Sequence, residues 1–517
     1  MEQISVYETI KAAIGPDGRL TKDVPLGKQP APNELHFAAG ARDGIEVYHF
    51  GSGSVDEKTI EVILGLLTKY RKGDKRTTRR LESIVGEHHT LSFIDQLLPR
   101  ITPISNQKTD QKVLFAGIDL AQTSSDVELV KMGLSIMGLF DLGAVSQICD
   151  EVAVLAAHDE LTLYAVEAVR HWTGGNDFVF RIAQSVDGWG KIHAVERLEP
   201  ANDEIRDWIL RHGCTNEVMD SYLGLTCAKK GDMITALRQP NLDHDLYESI
   251  SVIVSAMLDE GPVVGISVYE HANEALQLYI GHAKQQATTV ADLWRLLALR
   301  SWAEENPGDE NQAIIEGCDS IVENGPWEAR IKETVNQHDK RTMGNAFNAA
   351  QQLGVDISSE MMAAIRDKPV EFSYYASRLL KDPRFAPDIL ELYESVLPLD
   401  ALATGMGDDQ ISPTLFEENQ ALEWMLWMLG DLPGQGTKLI LTGLNSRLIR
   451  MRHAACHALQ GWTESENKPL ADISPEIAAT VGRISAIEVE EQNRQAMHDL
   501  IEGSNHDRDH CLWQALG

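Results

Sequence analysis

Histidines beside carboxylates or thiols are the residues of this chain with the clearest chemical potential. Glu87-His88-His89, Glu270-His271, the pair His453 and His457, and the C-terminal set His506, His510 and Cys511 each bring imidazole near a second metal-binding group. Two histidines and one carboxylate meeting at a point would hold non-haem iron. His453 and His457 stand one helical turn apart, so they share a helix face, and Cys456 adjoins them, which suits a soft metal. The same pair sits in an Ala-rich helical pattern, where flanking positions of a packed helix are the simpler reading. The C-terminal set lies at a chain end and supports adventitious metal binding at most. The expectation is no resident metal and no cofactor.

Other signatures are missing. Gly51-Ser-Gly53-Ser54 continues into Val-Asp-Glu without the further glycine or lysine that a phosphate cradle uses, so it reads as a loop ending in a helix N-cap. No Gly-x-Ser-x-Gly elbow and no Cys-x-x-Cys-His are present. Carboxylates are too numerous for spacing to single out a general acid or base. The stripe Trp424-Met-Leu-Trp427-Met428 falls at helical spacing and reads as core.

Helices must position whatever chemistry exists. Ile60, Ile63, Leu64 and Leu67, and again Leu129, Met132, Leu134, Ile136 and Leu139, lay broad apolar stripes at three- and four-residue spacing. Short turns such as Gly174-Gly175-Asn176, Pro200-Ala-Asn202 and Asn324-Gly-Pro326 separate such segments, which predicts antiparallel helix pairs. The first fifty residues differ. Gly15, Pro16, Gly18, Pro25, Gly27, Pro30 and Pro32 interrupt them, and Ile45 to Phe50 alternates in a way that predicts a short strand. We read 1–54 as an irregular arm, 55–303 as one helical stack and 304–517 as a second, with breaks at 304–312 and 404–413.

Within the second stack, Leu444 to Trp462 (LNSRLIRMRHAACHALQGW) resembles the second half of a HEAT repeat. Ser446 takes the position usually held by Asp, Met451 and Arg452 form the apolar-Arg pair, and Ala454, Ala455 and Ala458 supply the small face. In that family the arginine is held by hydrogen bonds at the repeat junction, which implies a structural Arg452. Weaker echoes start at Asp126, Thr162 and Trp189, with Lys131, Ala165 and Lys191 about one helix pair apart. The resemblance implies an all-α fold, an α-α superhelix of HEAT or armadillo type. A narrower resemblance joins Pro32 to His49 (PNELHFAAGARDGIEVYH) and Gly188 to Leu198 (GWGKIHAVERL) to a set of uncharacterised bacterial proteins, some of which carry the label limonene hydroxylase. Hydroxylation of that kind needs haem, non-haem iron or flavin. The two shared runs mark Arg42, Asp43 and His49 in the arm, and Trp189, Lys191 and His193 at a helix start, as residues that would form one site if the arm folds back over the helices.

Composition narrows the function. Of 517 residues, 46 are Lys or Arg and 78 are Asp or Glu, a net charge of −32, which disfavours nucleic acid and anionic membrane as partners. The basic stretch Lys69 to Arg80 reads as a solvated helix end. No export signal or apolar run of membrane-spanning length is evident, and Cys149, Cys214, Cys227, Cys318, Cys456 and Cys511 lie far apart, so a cytoplasmic chain with reduced thiols is expected. The leading expectation is a scaffold that binds a basic protein or peptide; the alternative is a hydroxylase-type oxidoreductase with a histidine-ligated metal.

Overall fold

A computed structural model describes residues 4–27, 37–51, 53–71, 75–101, 107–261, 263–409 and 414–502. Among these residues the fold is all-α: no strand forms, and two isolated bridges, Ile14 with Leu20 and Asp409 with Leu448, are the extent of β pairing. No helix is long and apolar enough to cross a membrane. The chain divides into two compact units, residues 1–287 with 295–323 and residues 288–294 with 324–517.

Side-chain caps start many helices. Asp126 accepts from Leu129 N at 3.2 Å, Asn202 from Ile205 N at 2.9 Å and Asp243 from Leu246 N at 2.9 Å. Each satisfies a backbone donor that the first turn leaves without an intrahelical acceptor.

In the first unit, alternate helices pack on one another. Val127–Met137 lies on Asp159–Val169, which lies on Trp189–Arg197, then Ser221–Lys230, then His244–Leu258. Lys131, Ala165 and Lys191 thus fall on three successive members of this ladder. Val127–Met137 is buried on all sides, with Leu129, Met132 and Ile136 in one apolar core and Val130, Leu134 and Met137 in another. A helix in that position has no polar face to spare.

The strand expected over Ile45 to Phe50 is corrected. Residues Ala41–Ile45 are α-helical and Glu46–Phe50 continue as a single wide π turn. Ala41, Gly44, Ile45 and Tyr48 share one helical face that meets the protein, while Val47 and Phe50 stay exposed. The apparent alternation was a coincidence of one-sided burial at helical spacing.

In the second unit, Phe416–Met428 packs on Thr437–Leu444 and on Ile449–Glu466, and Ile449–Glu466 in turn packs on Glu491–Glu502. Ala454, Ala455 and Ala458 are fully buried, and a Cβ at Gly461 would fall 2.9 Å from Gly430 Cα, so the backbones nearly touch there. Trp462 Nε1 donates to Leu429 O at 2.6 Å across the same approach. Ser446 does not cap the helix itself. Its hydroxyl accepts from Leu448 N at 3.2 Å and closes the turn before the helix begins.

Arg452 is fully buried and spans that turn. It donates to Ser446 O at 2.8 Å, Arg447 O at 3.0 Å and Gly407 O at 2.8 Å, and pairs through two nitrogens with the buried carboxylate of Glu488 at 2.7 and 2.8 Å. Removing one member of such a pair strands the other charge. Arg452→Ala is expected to destabilise the second unit by about 3–5 kcal/mol in urea unfolding, with Glu488→Gln costing less because the carboxamide keeps an acceptor for Arg452.

Candidate functional site

The arm lies along the ladder of alternate helices, and its contacts are polar as well as apolar. His158 Nε2 meets Val24 O at 2.8 Å, and Gly40 N donates to Glu160 Oε2 at 2.7 Å. Next along the arm, Asp43 enters a buried ionic cluster. Lys131 Nζ lies 2.8 Å from Asp43 Oδ2, 3.0 Å from Glu128 Oε1 and 2.6 Å from Glu160 Oε1, with its side chain only 2 % exposed. Tyr164 donates its hydroxyl to Asp43 Oδ2 at 3.1 Å and turns its ring to the Lys131 ammonium, 5.5 Å from the centroid.

The electrostatics follow from this crowding. Burial works against the Lys131 ammonium, but Tyr164, Glu128, Asp43 and Glu160 outweigh it and hold the lysine well above its ordinary range. Burial raises Asp43 in spite of Lys131, with Glu128 and Glu160 adding to the rise. Glu128 is buried too, yet His89, Lys131 and the Thr90 backbone amide, which donates at 2.7 Å, hold it well below the usual carboxylate range.

Beyond Asp43 the arm meets an aromatic cluster. Gly44 sits flat against Trp189: a Cβ there would fall 2.2 Å from the indole Cε3. Tyr48 follows, 6.1 Å from Trp189, 5.1 Å from Tyr222 and stacked at 6.3 Å on His193. His49 Nε2 shares a 2.7 Å hydrogen bond with the Tyr222 hydroxyl. His193 is 1 % exposed, and neither ring nitrogen has a partner among the described residues. Burial pushes its imidazole down to about 3, so it is neutral. It lacks both the orienting acceptor and the nucleophile that acid–base catalysis uses.

Of the six residues marked from the sequence, four therefore meet: Asp43 on Lys131, and His49, Trp189 and His193 around Tyr48 and Tyr222. Arg42 does not join them. It is exposed and pairs with Glu46 at 3.3 Å on its own helix. Lys191 is buried beside a different cavity, lined by Asp187, Arg19 and Arg211. Sequence reading missed Lys131, Glu128, Glu160, Tyr48, Tyr164 and Tyr222. Lys131 had a signal, since a lone charge interrupts the apolar run Leu129-Val-Lys-Met-Gly-Leu134.

The iron that a hydroxylase would use does not fit the donors. Among the described residues no three His, Cys, Asp or Glu side chains converge. His453 Nδ1 faces Asn493 Oδ1 at 3.3 Å, His457 packs on Trp427 with ring centroids 4.8 Å apart, and His89 lies 3.6 Å from Glu128. His271 lies 3.7 Å from Glu270 and packs edge-on against Tyr269, with ring centroids 5.8 Å apart. His506, His510 and Cys511 lie outside the described residues. Compared with known proteins, the chain matches no family model, no curated protein and no solved structure.

Two outcomes are expected at this site. Gly44→Ala should force the arm off Trp189 and expose residues 38–50 to faster amide hydrogen exchange; an unchanged exchange pattern would contradict the contact. Asp159 receives Gly190 N at 2.7 Å yet is raised to about 6 by burial, with Glu217, Asp187 and Glu160 adding to it. A raised carboxyl takes up protons on folding, so its penalty is absent at low pH and grows as pH climbs from 3.8 to about 6. Asp159→Asn should therefore gain on the wild type by up to about 3 kcal/mol at neutral pH, and that gain should vanish near pH 4 in parallel denaturation curves.

Proposed function

We propose that this chain is a protein-interaction or scaffold protein, built as a HEAT-like solenoid and binding a protein or peptide of basic character through an acidic surface. The observation that carries the reading is the ladder of alternate helices between Val127 and Leu258, each member lying on the next. Helix pairs stacked in this way bury their apolar faces against neighbours and leave a long continuous surface for a partner. The net charge of −32 sets the sign of that surface. The Arg452 junction, with its bonds to Ser446 O and Arg447 O, supports the same repeat reading in the second unit.

The test is capture followed by reconstitution. Immobilised protein should retain a basic partner from extracts of its own cells at low salt and release it as ionic strength rises past the point where surface charges are screened. The purified pair should then show hydrogen-exchange protection spread over several consecutive helices. A partner held equally well at all salt concentrations would remove the electrostatic part of the proposal, and protection confined to one loop would remove the solenoid surface.

A further inference from the structure

Lys191 meets the problem that Lys131 solves, but without the solution. It is 9 % exposed, and among the described residues its side chain makes no hydrogen bond or ion pair. Leaving a buried ammonium alone is costly, and a protein escapes the cost by deprotonating the amine or by supplying an anion.

A place for that anion lies beside it. Lys191 lines a cavity of about 640 Å³ with Arg19, Asp187, Trp208, Arg211 and Glu217. The size is that of an ordinary small-molecule pocket, roughly 300–1,000 Å³. Its carboxylates do not pair with Lys191. Asp187 Oδ2 takes Arg19 Nη1 at 2.5 Å and acts on Lys191 only through its field, and among the described residues Glu217 makes no hydrogen bond or ion pair with the lysine. Arg211 is neutralised from outside the lining, by Asp207 at 2.9 Å and Asp243 at 2.7 Å. Of the three cations on the lining, Arg19 and Arg211 thus have carboxylate partners and Lys191 does not. The arm completes this wall: Arg19 stands in a tight loop closed by Gly15 N on Arg19 O at 2.8 Å, and its other guanidinium nitrogen bonds Gln184 O. Burial also lowers the Lys191 ammonium against the pull of Asp187.

We propose that this cavity binds a small molecule bearing a phosphate or carboxylate group, which pairs with the Lys191 side chain. The site is separate from the partner-binding surface and stands or falls without it.

Pyridoxal 5′-phosphate tests it, because the probe carries both a phosphate and an aldehyde. The free amine adds to the aldehyde carbon, water leaves to give an imine, and borohydride delivers hydride to that carbon to leave a secondary amine that peptide mass mapping reads. Lys191 should label several-fold faster than an exposed lysine such as Lys340, because a phosphate held in the cavity keeps the aldehyde beside the amine. Inorganic phosphate or citrate should slow this labelling several-fold, and whichever protects better identifies the preferred group. Phosphate or citrate should also raise the melting temperature of the wild type and of Lys191→Arg, but not of Lys191→Met. Labelling no faster than at Lys340, fast labelling that neither anion slows, or equal stabilisation of Lys191→Met would each overturn the proposal.

Discussion

A lysine inside a helix that has no exposed side is the constraint on which the first unit turns. Val127–Met137 separates two apolar cores, and Lys131 sits in its middle. An ion there is several kcal/mol unfavourable unless partners surround it. Glu128 comes from the same helix and Glu160 from the next member of the ladder, but Asp43 must come from the arm. The arm is thus held by charge and by packing together. On the same segment Gly44 lies against Trp189, and Tyr48 falls among Trp189, His193 and Tyr222. A buried ion pair ties an irregular N-terminal segment into the fold.

The helices were legible because their causes are local. Apolar stripes at helical spacing and the short turns between them act within a turn or two of themselves. Arg452 was singled out by the resemblance of its run to a HEAT repeat, and two of its three carbonyl acceptors lie in the adjoining turn. Its counter-ion Glu488 was not singled out, since nothing in an acidic chain distinguishes one glutamate from another. Asp43 was singled out by a shared run, whereas its partner Lys131 lay outside that run and was read only as a repeat position. The strand expected at Ile45 to Phe50 failed for a different reason: six residues are too few to separate a period of two from one buried helical face.

Lys131 and Lys191 show how two similar residues diverge through their surroundings. Both stand on the same ladder of helices and both are nearly inaccessible. One is raised by tyrosine and carboxylates packed around it, the other is lowered by burial that the pull of Asp187 does not outweigh. The first makes structure and the second leaves chemistry unspent. The arm touches both, through Asp43 at one and through Arg19 at the wall of the other.

The span of the arm's contacts also sets an order of events. His49 reaches Tyr222, 173 residues further along, and Arg19 reaches Asp187, 168 residues along. During synthesis the arm is made before the helices it docks on, and its docking sites are not complete until the helices through Tyr222 have been made. Its contacts with Ser124, Lys131, His158 and Glu160 come within reach earlier and that with Tyr222 later, so the arm closes stepwise as the chain lengthens.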